Sequence, residues 1–141
     1  MVYKRAQTAK YSSTKKVLIV DEDALSRDMM SKILSRYLGC EVNMAANDSG
    51  ALSFLKSGDF DLAILGMSRP DSSIVDLVAN IQALKLNLSL IVVSGDGTDA
   101  DLEILKSMGI TKIVYKPLRL SPLLEMVAGV FLNKEQVLNY A

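Results

Sequence analysis

The sequence predicts an α/β fold, a doubly wound sandwich built on a five-stranded parallel sheet of (βα)5 type. Five short runs, Val17-Leu18-Ile19-Val20, Cys40 to Ala45, Leu62-Ala63-Ile64-Leu65, Leu90-Ile91-Val92-Val93 and Ile113-Val114-Tyr115, have strand character. Most are apolar throughout rather than alternating, the pattern of parallel strands covered by helices on both faces. Stretches with helical periodicity separate them, so strand and helix alternate along the chain.

The first run ends abruptly at Asp21-Glu22-Asp23, and a helix follows from Ala24 to Leu38. There Leu25, Met29, Ile33 and Leu34 recur at helical spacing opposite Arg27, Asp28, Lys32 and Arg36, and Gly39 stops the turn. Asn47-Asp48-Ser49 offers a cap for a helix through Ala51, Leu52 and Leu55 that ends near Gly58. Third and fourth helices are read over Asp71 to Leu86 and Asp99 to Met108, the latter closed by Gly109. Ser121-Pro122 then opens a last helix from Ser121 to about Phe131, a serine cap followed by proline in the first turn. The organisation is a flexible basic arm over 1–15, one domain over 16–132, and a tail or the start of a linker helix over 133–141.

Composition narrows the function. The 141 residues are 50% apolar and 23% charged, with 16 basic and 16 acidic side chains, which excludes a disordered chain and gives no global charge for binding nucleic acid. No apolar run reaches the ~18–20 residues of a membrane span, and Met1 to Lys16 is not built like a signal peptide, so a soluble, cytoplasmic protein is expected. With no histidine and the single cysteine Cys40, zinc clusters, imidazole bases and internal disulfides are out. Carboxylates, lysines and hydroxyls remain, with a hard cation such as Mg²⁺ as their natural metal. Gly95-Asp96-Gly97-Thr98-Asp99-Ala100 formally matches a dinucleotide fingerprint, but its two acids would repel a pyrophosphate and it reads as a glycine-rich turn.

Right-handed crossovers gather the loops after the strands at one edge of such a sheet. Asp21 and Glu22 after the first strand, Ser94 after the fourth and Lys116-Pro117 after the fifth would converge there. This constellation, with Asp61-Leu62-Ala63-Ile64-Leu65, Arg69-Pro70 and Gly109, resembles a response-regulator receiver domain from about Lys16 to Leu132. The resemblance implies a flavodoxin-like fold, an Asp21/Glu22 acidic pair able to hold Mg²⁺, a switch hydroxyl at Ser94, and a lysine at Lys116 joined to Pro117 by a bond that is commonly cis. It also implies a phosphoacceptor aspartate at the end of the third strand, where this chain has Gly66. Glycine offers neither a carboxylate nucleophile nor a metal ligand, and Asp61 lies five strand residues, roughly 16 Å, away.

A degenerate receiver is therefore expected, with no catalytic residue and no enzymatic activity. No cofactor is expected beyond weak Mg²⁺ at Asp21 and Glu22, and the two uses left to that pair are residual cation binding and a buried salt bridge to Lys116. Ile113 stands where receivers commonly carry the aromatic partner of the switch hydroxyl. The function expected is a phosphorylation-independent regulatory module in two-component-type signalling that binds a protein partner or a downstream effector domain. Ile104 and Ile113 mark the face for docking or a homodimer, with no nucleic acid or membrane as partner. The alternatives are a receiver that accepts a phosphoryl group at another acid, and a site inactivated by engineering at Gly66.

Overall fold

The computed structural model describes residues 14–67, 73–95 and 100–140, with 100 and 133–140 described by backbone alone. The chain runs β1 Lys16–Val20, α1 Ala24–Leu38, β2 Glu41–Ala45, α2 Asp48–Ser57, β3 Leu62–Gly66, α3 Ile74–Ala83, β4 Ser89–Ser94, α4 Ala100–Ser107, β5 Ile113–Tyr115 and α5 Leu120–Tyr140. The strands form one sheet in the order β2-β1-β3-β4-β5, and every neighbouring pair is parallel.

Pleating explains why the central runs are apolar at every position. Val17 and Ile19 enter one core with Leu62, Ile64, Ile91 and Val93, beneath α1 and α5. Leu18 and Val20 enter the other with Ala63, Leu65 and Val92, against α2, α3 and α4. At about 1.5–3 kcal/mol for each fully buried large aliphatic side chain, both faces are strongly held.

The ends of the helices follow local chemistry. Asp23 caps α1 by accepting the Leu25 N–H at 3.0 Å, and Gly39 closes it at φ 65° while the Cys40 N–H reaches back to the Leu34 carbonyl at 3.3 Å. The buried stripe of α1 is Ser26, Met30, Leu34 and Leu38, so Leu34 is buried as the sequence reading had it and Ile33 packs partly buried against the core, but Ser26 and Met30 take the places read for Leu25 and Met29. Leu25 and Met29 are 74% and 39% exposed, because the Ser26 hydroxyl donates to the Asp23 cap at 2.9 Å and the turn this starts carries Ser26 inward.

Helix α3 is shorter than its apolar pattern suggested. Ser73 caps it, and after Ala83 the Leu84 and Lys85 N–H groups bond only three residues back, with Lys85 at φ 55°. Leu84 and Leu86 continue the apolar rhythm in sequence, but Leu86 stands 43% exposed beyond the helix. Helix α5 instead continues past Phe131 to Tyr140. Lys15, read as the end of the arm, is buried, and its carbonyl accepts the Glu41 N–H at 2.9 Å. The rest of the arm up to residue 13 lies outside the described residues.

Candidate functional site

In the order β2-β1-β3 the winding reverses between β1 and β3, so the loops leaving these two strands part and open a crevice at the carboxyl edge. Asp21 borders it from β1 and Gly66 from β3.

Asp21 is fully buried and held from several sides. Its N–H donates to the Ala45 carbonyl at 3.1 Å, and its Oδ1 accepts the Asp23 N–H at 2.9 Å. Its other oxygen, Oδ2, is buried without a hydrogen bond and lies 3.7 Å from Lys116 Nζ. This carboxylate fills the volume where position 66 would carry a side chain. A Cβ on Gly66 would lie 2.7 Å from Oδ2 and 2.8 Å from Cγ of Asp21, closer than real Cβ atoms approach.

The other wall comes from β4 and β5. Ser94 is buried at the end of β4, and its carbonyl accepts the Lys116 N–H at 2.9 Å, tying the two strand ends together. The Lys116–Pro117 peptide bond is cis. Gly66, Asp21, Ser94 and Lys116 thus surround one crevice, whereas Glu22 stands exposed beside it. Asp23 has its carboxyl held below the usual carboxylate range, first by the Ser26 hydroxyl and then by the Leu25 N–H.

Residues 17–128 match the family model of the response regulator receiver domain. The chain belongs to that family. Among its relatives are the transcription factor prr1 of Schizosaccharomyces pombe, 26% identical over 88% of this chain but 23% of its own length, and the chemotaxis protein CheY-3 of Vibrio cholerae, 29% identical over 82% of this chain and 91% of its own. A receiver domain protein (CheY-like) from Methanospirillum hungatei JF-1 superposes with a TM-score of 0.80 at 27% identity, covering 88% of this chain and 98% of that one. The chain spans about a quarter of the length of the first curated relatives it matches, such as prr1 at 23% and a protein-glutamate methylesterase of Rhodospirillum rubrum at 28%. Receiver domains are signalling modules, and no helix among the described residues is long and apolar enough to cross a membrane.

Mg²⁺ takes a near-octahedral set of oxygens. The described residues fit it poorly, because Asp21 Oδ2 already faces Lys116 and Gly66 while Glu22 points to solvent. Among the described residues no group of three or more His, Cys, Asp or Glu side chains is arranged to hold a metal. Residues 68–72 and 96–99 lie outside the description, and with them Arg69, Pro70, Asp71 and most of the glycine-rich turn.

Away from the crevice, Ile104 on α4 is 46% exposed, Tyr115 on β5 is exposed, and Ile113 is half-buried. Sequence reasoning missed Arg27, whose Nη1 donates to the Asp21 carbonyl at 2.7 Å and the Glu22 carbonyl at 3.1 Å. A cation one turn into the helix after an acidic loop was the available signal, since it can fold back on carbonyls that the strand no longer uses. A groove of about 730 Å³ lies at the opposite edge between Lys15, Asp61, Gln82 and Lys112, away from these residues.

Proposed function

We propose that this receiver is a phosphorylation-independent regulatory module of two-component-type signalling, working by protein–protein contact rather than by accepting a phosphoryl group. One observation carries the reading: Asp21 fills the place of a side chain at position 66 and faces Lys116 there. Phosphoryl transfer needs a nucleophile in line with the donor and a cation to gather charge. Gly66 removes the first, and the Asp21–Lys116 pair uses the groups that would serve the second. The module works without a cofactor and is not an enzyme. Its partner is a protein or an effector domain, and the face around Ile104, Ile113 and Tyr115 is its contact surface, since large apolar groups left in water favour association.

The test is intact mass after incubation with Mg²⁺ and a small acyl phosphate. An unmodified chain is expected, and a stoichiometric, base-labile phosphoryl adduct on any acid would overturn the reading.

A further inference from the structure

The chain enters β1 at the amino edge of the sheet, beside a groove of about 460 Å³ that Thr14 itself lines together with Lys16, Glu41, Asp59, Asp61 and Leu86. Three acids share this groove with one cation, and that cation is already engaged. Lys16 Nζ stands 3.7 Å from Glu41 and 4.8 Å from the centre of the Phe60 ring. Asp59 is exposed and has no ion-pair partner among the described residues. Leu86, 43% exposed, adds an apolar rim.

The 13 residues ahead of Thr14 have the opposite character. They hold Lys4, Arg5 and Lys10, three of the chain's 16 basic side chains, and none of its 16 acids, so the rest of the chain is net negative by three. The covalent join at Thr14 limits where they can go: Tyr11 and Lys10 lie within about 11 and 14 Å of it even in a fully extended chain. We propose that this groove is the seat of the chain's own amino-terminal arm, with Lys10 against Asp59 and the Tyr11 ring on Leu86. The tether replaces affinity with high local concentration, so contacts too weak to hold a separate peptide suffice. Ordering the backbone costs entropy that exposed ion pairs repay only in part, which confines the seat to the residues next to Thr14 and leaves out Lys4 and Arg5. The groove lies at the edge opposite Asp21 and Lys116, so its occupation requires nothing of the phosphoacceptor position.

Disulfide trapping in the full chain tests this. Ser12→Cys is combined with Asn87→Cys, a position that lines the same groove, and in a control with Ser35→Cys, exposed in the last turn of α1 at the same edge. Cys40 is buried and does not compete. Under mild oxidation at low protein concentration, positions 12 and 87 should bridge within one chain at least about ten-fold faster than positions 12 and 35. Lys10→Glu and Asp59→Lys should each slow that bridge about three-fold, the size of one exposed ion pair, and the two together should bring the rate back, because the swapped charges face each other again. Equal rates at positions 87 and 35 would overturn the proposal. So would a bridge to position 87 that forms only between chains, which would make a second copy's arm the occupant, or a rate that Lys10→Glu leaves unchanged.

Discussion

Two lysines, one at each end of the sheet, stand 3.7 Å from a carboxylate. At the amino end Lys16 faces Glu41 with their side chains 34% and 64% exposed, and the ammonium also lies 4.8 Å from the centre of the Phe60 ring. At the carboxyl end Lys116 faces Asp21 with their side chains 22% and 1% exposed. The distance is the same and the energetics are not. Water screens the first pair and can replace either partner, so it adds little. The second holds a carboxylate oxygen that no hydrogen bond reaches, so Lys116 is the main compensation for a buried charge. Asp21 and Lys116 are thus part of what holds this fold together.

The largest effect expected follows from that contrast. Lys116→Met should cost about 3 kcal/mol because it strands Asp21, whereas Glu41→Gln should cost under about 1 kcal/mol. Asp21→Asn added to Lys116→Met should recover most of the loss by removing the charge itself. Urea unfolding of the four proteins decides it, and equal costs at the two ends would break the comparison.

The same contrast marks what the sequence could and could not reveal. The central strands were legible because both of their faces are buried, so Val17 to Val20 and Leu62 to Leu65 needed no periodicity to be recognised. The phase of α1 was not legible, since Leu25 and Met29 form as good an apolar stripe as Met30 and Leu34 until the Asp23 cap fixes where the helix begins. The end of α3 was hidden for a related reason, apolar rhythm continuing through Leu84 and Leu86 after the backbone has turned at Lys85. At the site, Asp21, Ser94 and Lys116 could be placed by strand order alone, and a Lys116 salt bridge was one of two uses open for the acidic pair. That Asp21 would take the space at Gly66 while Glu22 stayed outside depends on a side-chain rotamer, which no pattern encodes.

A smaller effect sharpens the account of that rotamer. Gly66→Ala forces Asp21 to leave its position, since the new Cβ would meet Cγ and Oδ2 below 3 Å, and should cost about 1–3 kcal/mol. In an Asp21→Ala background the same change should cost clearly less, because the nearest remaining atom of residue 21 is its Cβ at 3.3 Å, a tight contact that only a small shift need relieve. The coupling in this double-mutant cycle measures the overlap directly. Gly66→Asp adds a second carboxylate to the same volume and should cost more than Gly66→Ala. Additive single and double changes would mean that Asp21 does not fill the site.

The smallest effect returns to the amino end, where a buried group can avoid charge altogether. Cys40, just before β2, is 7% exposed, and burial, aided by the Asp61 carboxylate, pushes its thiol from 9.0 up to about 12. Because the folded value lies above the unfolded one, this contribution to stability is fully present below about pH 9 and is lost as pH rises towards 12. One pH unit above the unfolded value the loss attributable to the thiol is about 1.4 kcal/mol. Stability measured at pH 8 and pH 10 should therefore fall more steeply for the natural chain than for Cys40→Ala, whatever the tyrosines and lysines add to both. Asp21 is buried against the Lys116 ammonium, whereas the burial of Cys40 requires only that the thiol keep its proton. Parallel pH slopes for the two proteins would remove that distinction and leave burial itself as the only difference between the ends of the sheet.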